Sequence, residues 1–210
     1  MYRTDENGEK YREIVPEDYG KKWYSRVIVR REIRVSKDYK PDIVPILDGY
    51  GYGCSLNRVA AKPYENMFHA AEKDGYYLVP YSAYRSYDTQ YGNFVNRIAQ
   101  WQSQGFGRAQ AIENTVEVIM APGGSEHNLG LAVDIICTEY DFDTTAEYAW
   151  LSANAWRYGF IERYPRDSHD ITGVVREPWH WRYVGLEAAK EMHGTGLTFE
   201  EYLTKKGITY

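Results

Sequence analysis

Cysteine is scarce. The chain has two, Cys54 and Cys137, in 210 residues. Two thiols make no disulfide framework, and their spacing fits no cysteine-based zinc motif. Free thiols are expected, with one bridge between them as the alternative. A basic excess is also lacking. Lys and Arg number 25 against 30 Asp and Glu, a net charge of −5. Nothing is left over to neutralise phosphates, so no nucleic-acid partner is expected. No apolar run approaches the roughly 18–20 residues of a membrane-spanning helix. The polar opening, Met1, Tyr2, Arg3, Thr4 and Asp5, lacks the apolar stretch of a signal peptide. Internal repeats and low-complexity tracts are missing. So is the helix-borne His-Glu-x-x-His signature, since none of the five histidines begins one.

Hydrophobic residues make up 43% and charged residues 26%, the balance of a soluble globular chain with a sizeable core. Tyrosine is the excess, at 21 residues. Its apolar body and polar tip suit a wet groove as well as an ordinary core or surface.

Residues 1–22 are polar, without periodicity, and read as a loose leader. The β-branched run 27–35 reads as a strand. Pro41, Pro45 and glycines 49, 51 and 53 mark a long connection. A division follows: an N-terminal, stalk-like extension over 1–39 and a compact domain over 40–210. Within the latter, Pro63 opens a helix whose apolar residues Tyr64, Met67, Phe68 and Ala71 share one face, and Gly75 closes it. A short strand is expected at 76–81, helices at 87–104 and 107–115, and a buried strand at 131–137. Thr144 with Glu147 predicts a capping box for a helix ending at Gly159. Strands near 160–163 and 179–184, a helix near 186–193, and another starting at Thr198 with Glu201 as capping partner complete the chain. The fold class is α+β, a small, mainly antiparallel sheet with helices packed around it.

Residues 125–134 read Ser-Glu-His-Asn-Leu-Gly-Leu-Ala-Val-Asp, and 177–180 read Glu-Pro-Trp-His. Two imidazoles, a carboxylate and a spare glutamate are what a catalytic zinc site needs: three ligands, an open position and a base. His127 and Asp134 lie seven apart, so they do not share a helical turn. A His on a loop and an Asp on the following strand is the geometry left. Asp134 interrupts an apolar run, where an ionised carboxylate is costly unless paired or bound to a cation. A salt-bridged structural Asp is the alternative. For His180, between Trp179 and Trp181, the alternative is a packed core histidine. Pro178 bends the chain so that Glu177 and His180 can share a pocket.

These motifs carry a resemblance. Ser-x-His-x-x-Gly-x-Ala-x-Asp followed by Glu-x-Trp-His resembles the VanY-type D,D-carboxypeptidases. They belong to the zinc D-Ala-D-Ala metallopeptidases, which share a fold with lysostaphin-type enzymes and the hedgehog signalling domain. Further segments follow in the family's order: Tyr84, Arg85, Ser86, Tyr87 and Gln90; then Asn154, Ala155, Tyr158 and Gly159; then Arg163, Tyr164 and Pro165; then Ile171, Thr172 and Gly173; then 182–185 and 196–202. Coverage is roughly 40–205. The resemblance implies one catalytic Zn2+ on His127, Asp134 and His180, with Glu177 as base. It implies Arg85 facing the scissile carbonyl or the substrate carboxylate, and Ser125, Gln90 and Tyr164 lining the substrate pocket. His169 stands where relatives often carry a basic residue, and reads as a rim residue.

The implied activity is removal of the C-terminal D-Ala from a peptidoglycan stem peptide or its precursor, by a monomer. The alternatives are an L,D-carboxypeptidase, a D,D-dipeptidase or a non-catalytic wall-binding module. Segments 105–124 and 164–176 are where the choice of peptide is expected to lie. The leader suggests an ectodomain at the cell envelope, with a cytoplasmic place of action as the alternative.

Overall fold

Short strands and helices succeed one another along residues 1–20 and 24–208, the residues that the computed structural model describes. The chain divides into two compact units, Met1–Pro41 with Arg85–Asn128, and Asp42–Tyr84 with Leu129–Tyr210. Residues 1–39, expected as an extension, thus group with a segment from the middle of the chain.

In the first unit, β1 (Tyr2–Thr4) runs antiparallel to β2 (Lys10–Ile14), with Tyr2 opposite Arg12. The turn between them is held by Asp5, whose Oδ1 accepts from the backbone N–H groups of Asn7 and Glu9. β3 (Ile33–Val35) adds parallel to β2. The expectation of a loose leader over 1–22 is therefore corrected. Its strand residues are mostly polar and only partly buried, so no alternation betrays them. Backbone pairing and the Arg34–Asp5 ion pair, 2.7 Å, hold the sheet. Lys21 and Lys22 lie outside the described residues. The strand expected over 27–35 is also shorter. Arg30 and Ile33 exchange both backbone hydrogen bonds, so the chain turns back at Arg31 and Glu32. Helix α1 (Arg58–Lys73) belongs to the second unit; α2 (Tyr87–Ser103), in the first, starts at the Ser86 cap. Phe94 and Ile98 of α2 pack on Ala111, Ile112 and Val116 of α3 (Arg108–Val116).

In the second unit, β4 (Ile43–Pro45) pairs antiparallel with β5 (Ser55–Asn57). Asn57 then caps α1, its Oδ1 accepting from the Val59 N–H at 3.2 Å. Pro63 sits inside α1 instead of opening it. It gives up one intrahelical bond, while the Asn57 cap fixes the true start. Tyr64, Met67, Phe68 and Ala71 form the buried face as expected, and the Tyr64 ring meets Phe160 edge-on at 6.1 Å.

The main sheet runs β6 (Pro80–Ser82), β7 (Ala132–Ile135), β9 (His180–Tyr183), β8 (Phe160–Glu162), every neighbour antiparallel. All four β7 residues are buried, which is why that stretch reads as a continuous apolar run. Helix α4 (Ala146–Asn154) is capped by Thr145, whose Oγ1 accepts from the Tyr148 N–H. The expected cap, Thr144, instead donates to the Asp141 carbonyl. The remaining helices are α5 (His169–Thr172), α6 (Leu186–Met192) and α7 (Phe199–Lys205). α7 carries the expected capping box of Thr198 and Glu201. The class is α+β with small, mainly antiparallel sheets; β2–β3 is the parallel exception. Cys54 and Cys137 are free thiols. Among the described residues no helix is long and apolar enough to cross a membrane.

Candidate metal centre

Asp134 on β7 lies directly opposite His180 on β9. Paired positions on neighbouring strands send their side chains to the same face. Asp134 Oδ1 and His180 Nδ1 accordingly stand 3.1 Å apart, on residues 3% and 4% exposed. The neighbours Val133 and Trp181 alternate to the other face.

His180 is also the last residue of a tight turn. Its N–H donates to the Glu177 carbonyl at 3.1 Å, with Pro178 and Trp179 at the corner. Proline is favoured at the first corner position because its φ is already set. The turn swings Glu177 back, and its Oε2 lies 3.6 Å from His180 Nδ1. The Tyr164 carbonyl accepts from the Glu177 N–H at 3.3 Å, and the Tyr164 ring lies 5.0 Å from the His180 ring.

His127 stands in a 3-10 turn, Glu126–Leu129. Ser125 Oγ accepts from the His127 N–H at 3.3 Å, and the His127 carbonyl accepts from the Arg85 N–H at 3.1 Å. Asn128 ties the same segment twice, donating to the Arg85 carbonyl at 2.8 Å and accepting from the Gly123 N–H at 3.0 Å. Beyond it, the Gly130 carbonyl accepts from the Asn57 N–H at 2.8 Å. Gly130 has φ +67°, and a Cβ there would sit 2.5 Å from Ile43 Cδ1 and 2.8 Å from the Asn57 nitrogen. Only glycine fits this approach.

His127, Asp134 and His180 are all buried, and one ligand atom from each lies within 4.8 Å of the others. The donor set suits zinc. Bonds of 2.0–2.2 Å put neighbouring donors of a tetrahedron about 3.3–3.6 Å apart, a little wider than the 3.1 Å between Asp134 and His180. Two imidazoles and one carboxylate would supply three ligands, the number that a catalytic zinc site takes from its protein.

Arg85 Nη1 donates to Gln90 Oε1 at 3.1 Å, and buried Gln90 donates onward to the Met120 carbonyl at 2.7 Å. Ser125 and Tyr164 are buried. His169 has a half-exposed side chain on α5 and is not part of the cluster. His69 pairs with Glu72, and His193 stacks on Trp156.

Sequence reading overlooked the supports. Asn128 is one: a buried amide directly after a candidate ligand is a signal in itself, since its four hydrogen-bonding groups need partners. Arg176, next to Glu177, is another. Asp143 holds it at 2.6 Å, with Glu162 at 3.7 Å and the Tyr148 hydroxyl at 3.4 Å. Burial raises the Glu162 carboxyl above its ordinary pKa, although Tyr148 and Arg176 pull it down.

A family model described as VanY, D-alanyl-D-alanine carboxypeptidase, matches residues 53–186. A D-alanyl-D-alanine carboxypeptidase of Enterococcus faecalis is 37% identical over 181 residues, covering 86% of this chain and 66% of that protein. The chain spans about half to two thirds of the length of the curated relatives it matches. Among solved structures, VanYB in complex with D-alanine-D-alanine superposes with a TM-score of 0.75 at 36% identity, covering 87% of this chain and 99% of that one. A point mutant of the vancomycin resistance D,D-pentapeptidase VanY, in complex with Zn(II), gives 0.73 at 36% identity, covering 85% and 98%. The LdcB LD-carboxypeptidase gives 0.79 at 30% identity, covering 100% and 94%.

Proposed function

The chain belongs to the VanY D-alanyl-D-alanine carboxypeptidase family, and on that premise we propose that it removes the C-terminal D-Ala of peptidoglycan stem peptides. The observation that carries the reading is the convergence of two imidazoles, a carboxylate and a second, nearby carboxylate on one buried spot. His127, Asp134 and His180 would hold zinc. When bound, the metal supplies Lewis acidity for activating water and polarising a carbonyl.

The chain's own residues do the rest. Glu177 takes a proton from the attacking water as the water oxygen bonds to the amide carbon. It returns the proton to the nitrogen as the carbon–nitrogen bond breaks, releasing free D-Ala. Arg85 offers a fixed positive charge to the substrate's carbonyl or terminal carboxylate, steadied by Gln90. Ser125 and Tyr164 line the pocket. The protein works as a monomer on the outer face of the cell envelope, where wall peptides lie. Preference for an unlinked precursor would move its place of action to the cytoplasm.

A second reading, L,D-carboxypeptidase, is favoured by the full-length likeness to LdcB. Mass spectrometry of products from penta-, tetra- and dipeptide substrates, with zinc loaded or chelated, separates the two. Loss of one D-Ala from the pentapeptide, abolished by chelation, is expected. Trimming of the tetrapeptide alone would establish the second reading. Binding without cleavage would make the chain a wall-binding module.

A further inference from the structure

We infer that Arg163 and Glu200 are positioning residues: a buried fork that fixes the segment on which the metal ligand His180 and the base Glu177 both rest. The inference rests on the functional reading above. Arg163 Nη1 and Nη2 donate to the two carboxylate oxygens of Glu200 at 2.9 and 2.6 Å. The two side chains are 1% and 3% exposed. The guanidinium lies 4.8 Å over the Tyr164 ring and 5.4 Å from the Phe199 ring, so its plane is held from several directions.

What it holds matters more than the pair itself. The Arg163 backbone N–H donates to the His180 carbonyl at 3.2 Å. The next carbonyl, that of Tyr164, accepts from the Glu177 N–H, and the Tyr164 ring faces the His180 ring. Two consecutive residues therefore touch both working parts of the turn, and their own place is set by Glu200, 37 residues on. Glu200 lies beyond the stretch 53–186 that the family model matches.

Energetics favours a positional role. Replacing both members of a buried ion pair by apolar groups of similar volume often leaves stability unchanged or improved. A pair whose net stabilisation is small has geometry left as its contribution. A bidentate arginine–carboxylate fork sets both distance and plane, which a lysine cannot reproduce.

Two variants test this: Arg163→Lys, which keeps the charge and loses the fork, and the apolar double variant Arg163→Met with Glu200→Leu. Zinc affinity of the apo-protein is read by competition with a chromophoric chelator. kcat and KM are read on the pentapeptide, and folding by circular dichroism and thermal midpoint. The double variant should keep its thermal midpoint, lose about 10- to 100-fold in kcat and in zinc affinity, and change little in KM, the scale for groups that orient metal ligands. Arg163→Lys should fall between it and the wild type. Wild-type kcat and zinc affinity in either folded variant would overturn the inference. So would loss of the native spectrum in both, which would make the pair a folding element. A wild type that binds zinc but releases no D-Ala would sink the functional reading, while the zinc affinities still decide this one.

Discussion

Glu177 and His180 sit three residues apart with side chains 3.6 Å from each other, yet removing each should leave a different signature. Glu177→Gln should retain zinc in metal analysis and lose about 10²- to 10⁴-fold in kcat, the range for a general base. Near wild-type turnover would remove Glu177 from that role. Glu162 gives a pH signature. Burial raises its carboxyl pKa in the folded chain, so the folded state holds that proton more tightly than the unfolded one. Its contribution to stability therefore rises as pH falls through the raised value, and levels off below the ordinary carboxylate range near ~4.3. Wild type should gain on Glu162→Gln between neutral pH and pH ~4 in paired denaturation midpoints; a gap that moves against wild type on acidification would show the opposite sign. At this scale much was legible. Asp134 stood out because it broke an apolar run, and Glu177 because Pro178 bends the chain beside it. The Arg163–Glu200 pair was not, because nothing local links residues so far apart in sequence.

Among the elements, the loop from the Glu126–Leu129 turn into β7 depends on one backbone position. Gly130→Ala would force a Cβ to within 3 Å of Ile43 and the Asn57 nitrogen at a positive φ. It should cost roughly 1–3 kcal/mol in urea denaturation and weaken zinc binding along with it. Unchanged stability and zinc affinity would mean that the loop relaxes freely. The long amphipathic helices were readable because each pairs a periodic apolar face with a cap, as α2 does with Ser86. Where a strong signal sat beside a stronger one, the reading slipped. Pro63 looked like a helix start, but Asn57 caps the helix earlier. Thr144 and Thr145 are adjacent candidates, and only the backbone decides that Thr145 reaches the Tyr148 N–H. β1 and β2 gave no pattern because strands with polar, partly exposed faces do not alternate.

For the molecule as a whole, metal binding and folding are linked. An ion held by the native chain and not by the unfolded one should raise the thermal midpoint, by about 2.7 kcal/mol of stability at a hundred times its dissociation constant. Scanning fluorimetry with zinc and then with excess chelator measures this; a midpoint indifferent to both would mean that the folded chain holds no zinc. Residues 1–39 group with Arg85–Asn128, an arrangement that a sequence read from one end to the other does not suggest. The composition limits partner class, and the ordered motifs limit the family, but neither tells which stretches of chain fold together.

The turn from Glu177 to His180 has a consequence for how such a centre can change. Glu177 and His180 hang from one closed ring of four residues, so their offset is a local length, like the rungs of a ladder. Substitutions elsewhere can tilt or shift that ring as one piece, but they cannot easily stretch it. Drift in the surrounding scaffold would therefore carry the Glu177 and His180 side chains along together.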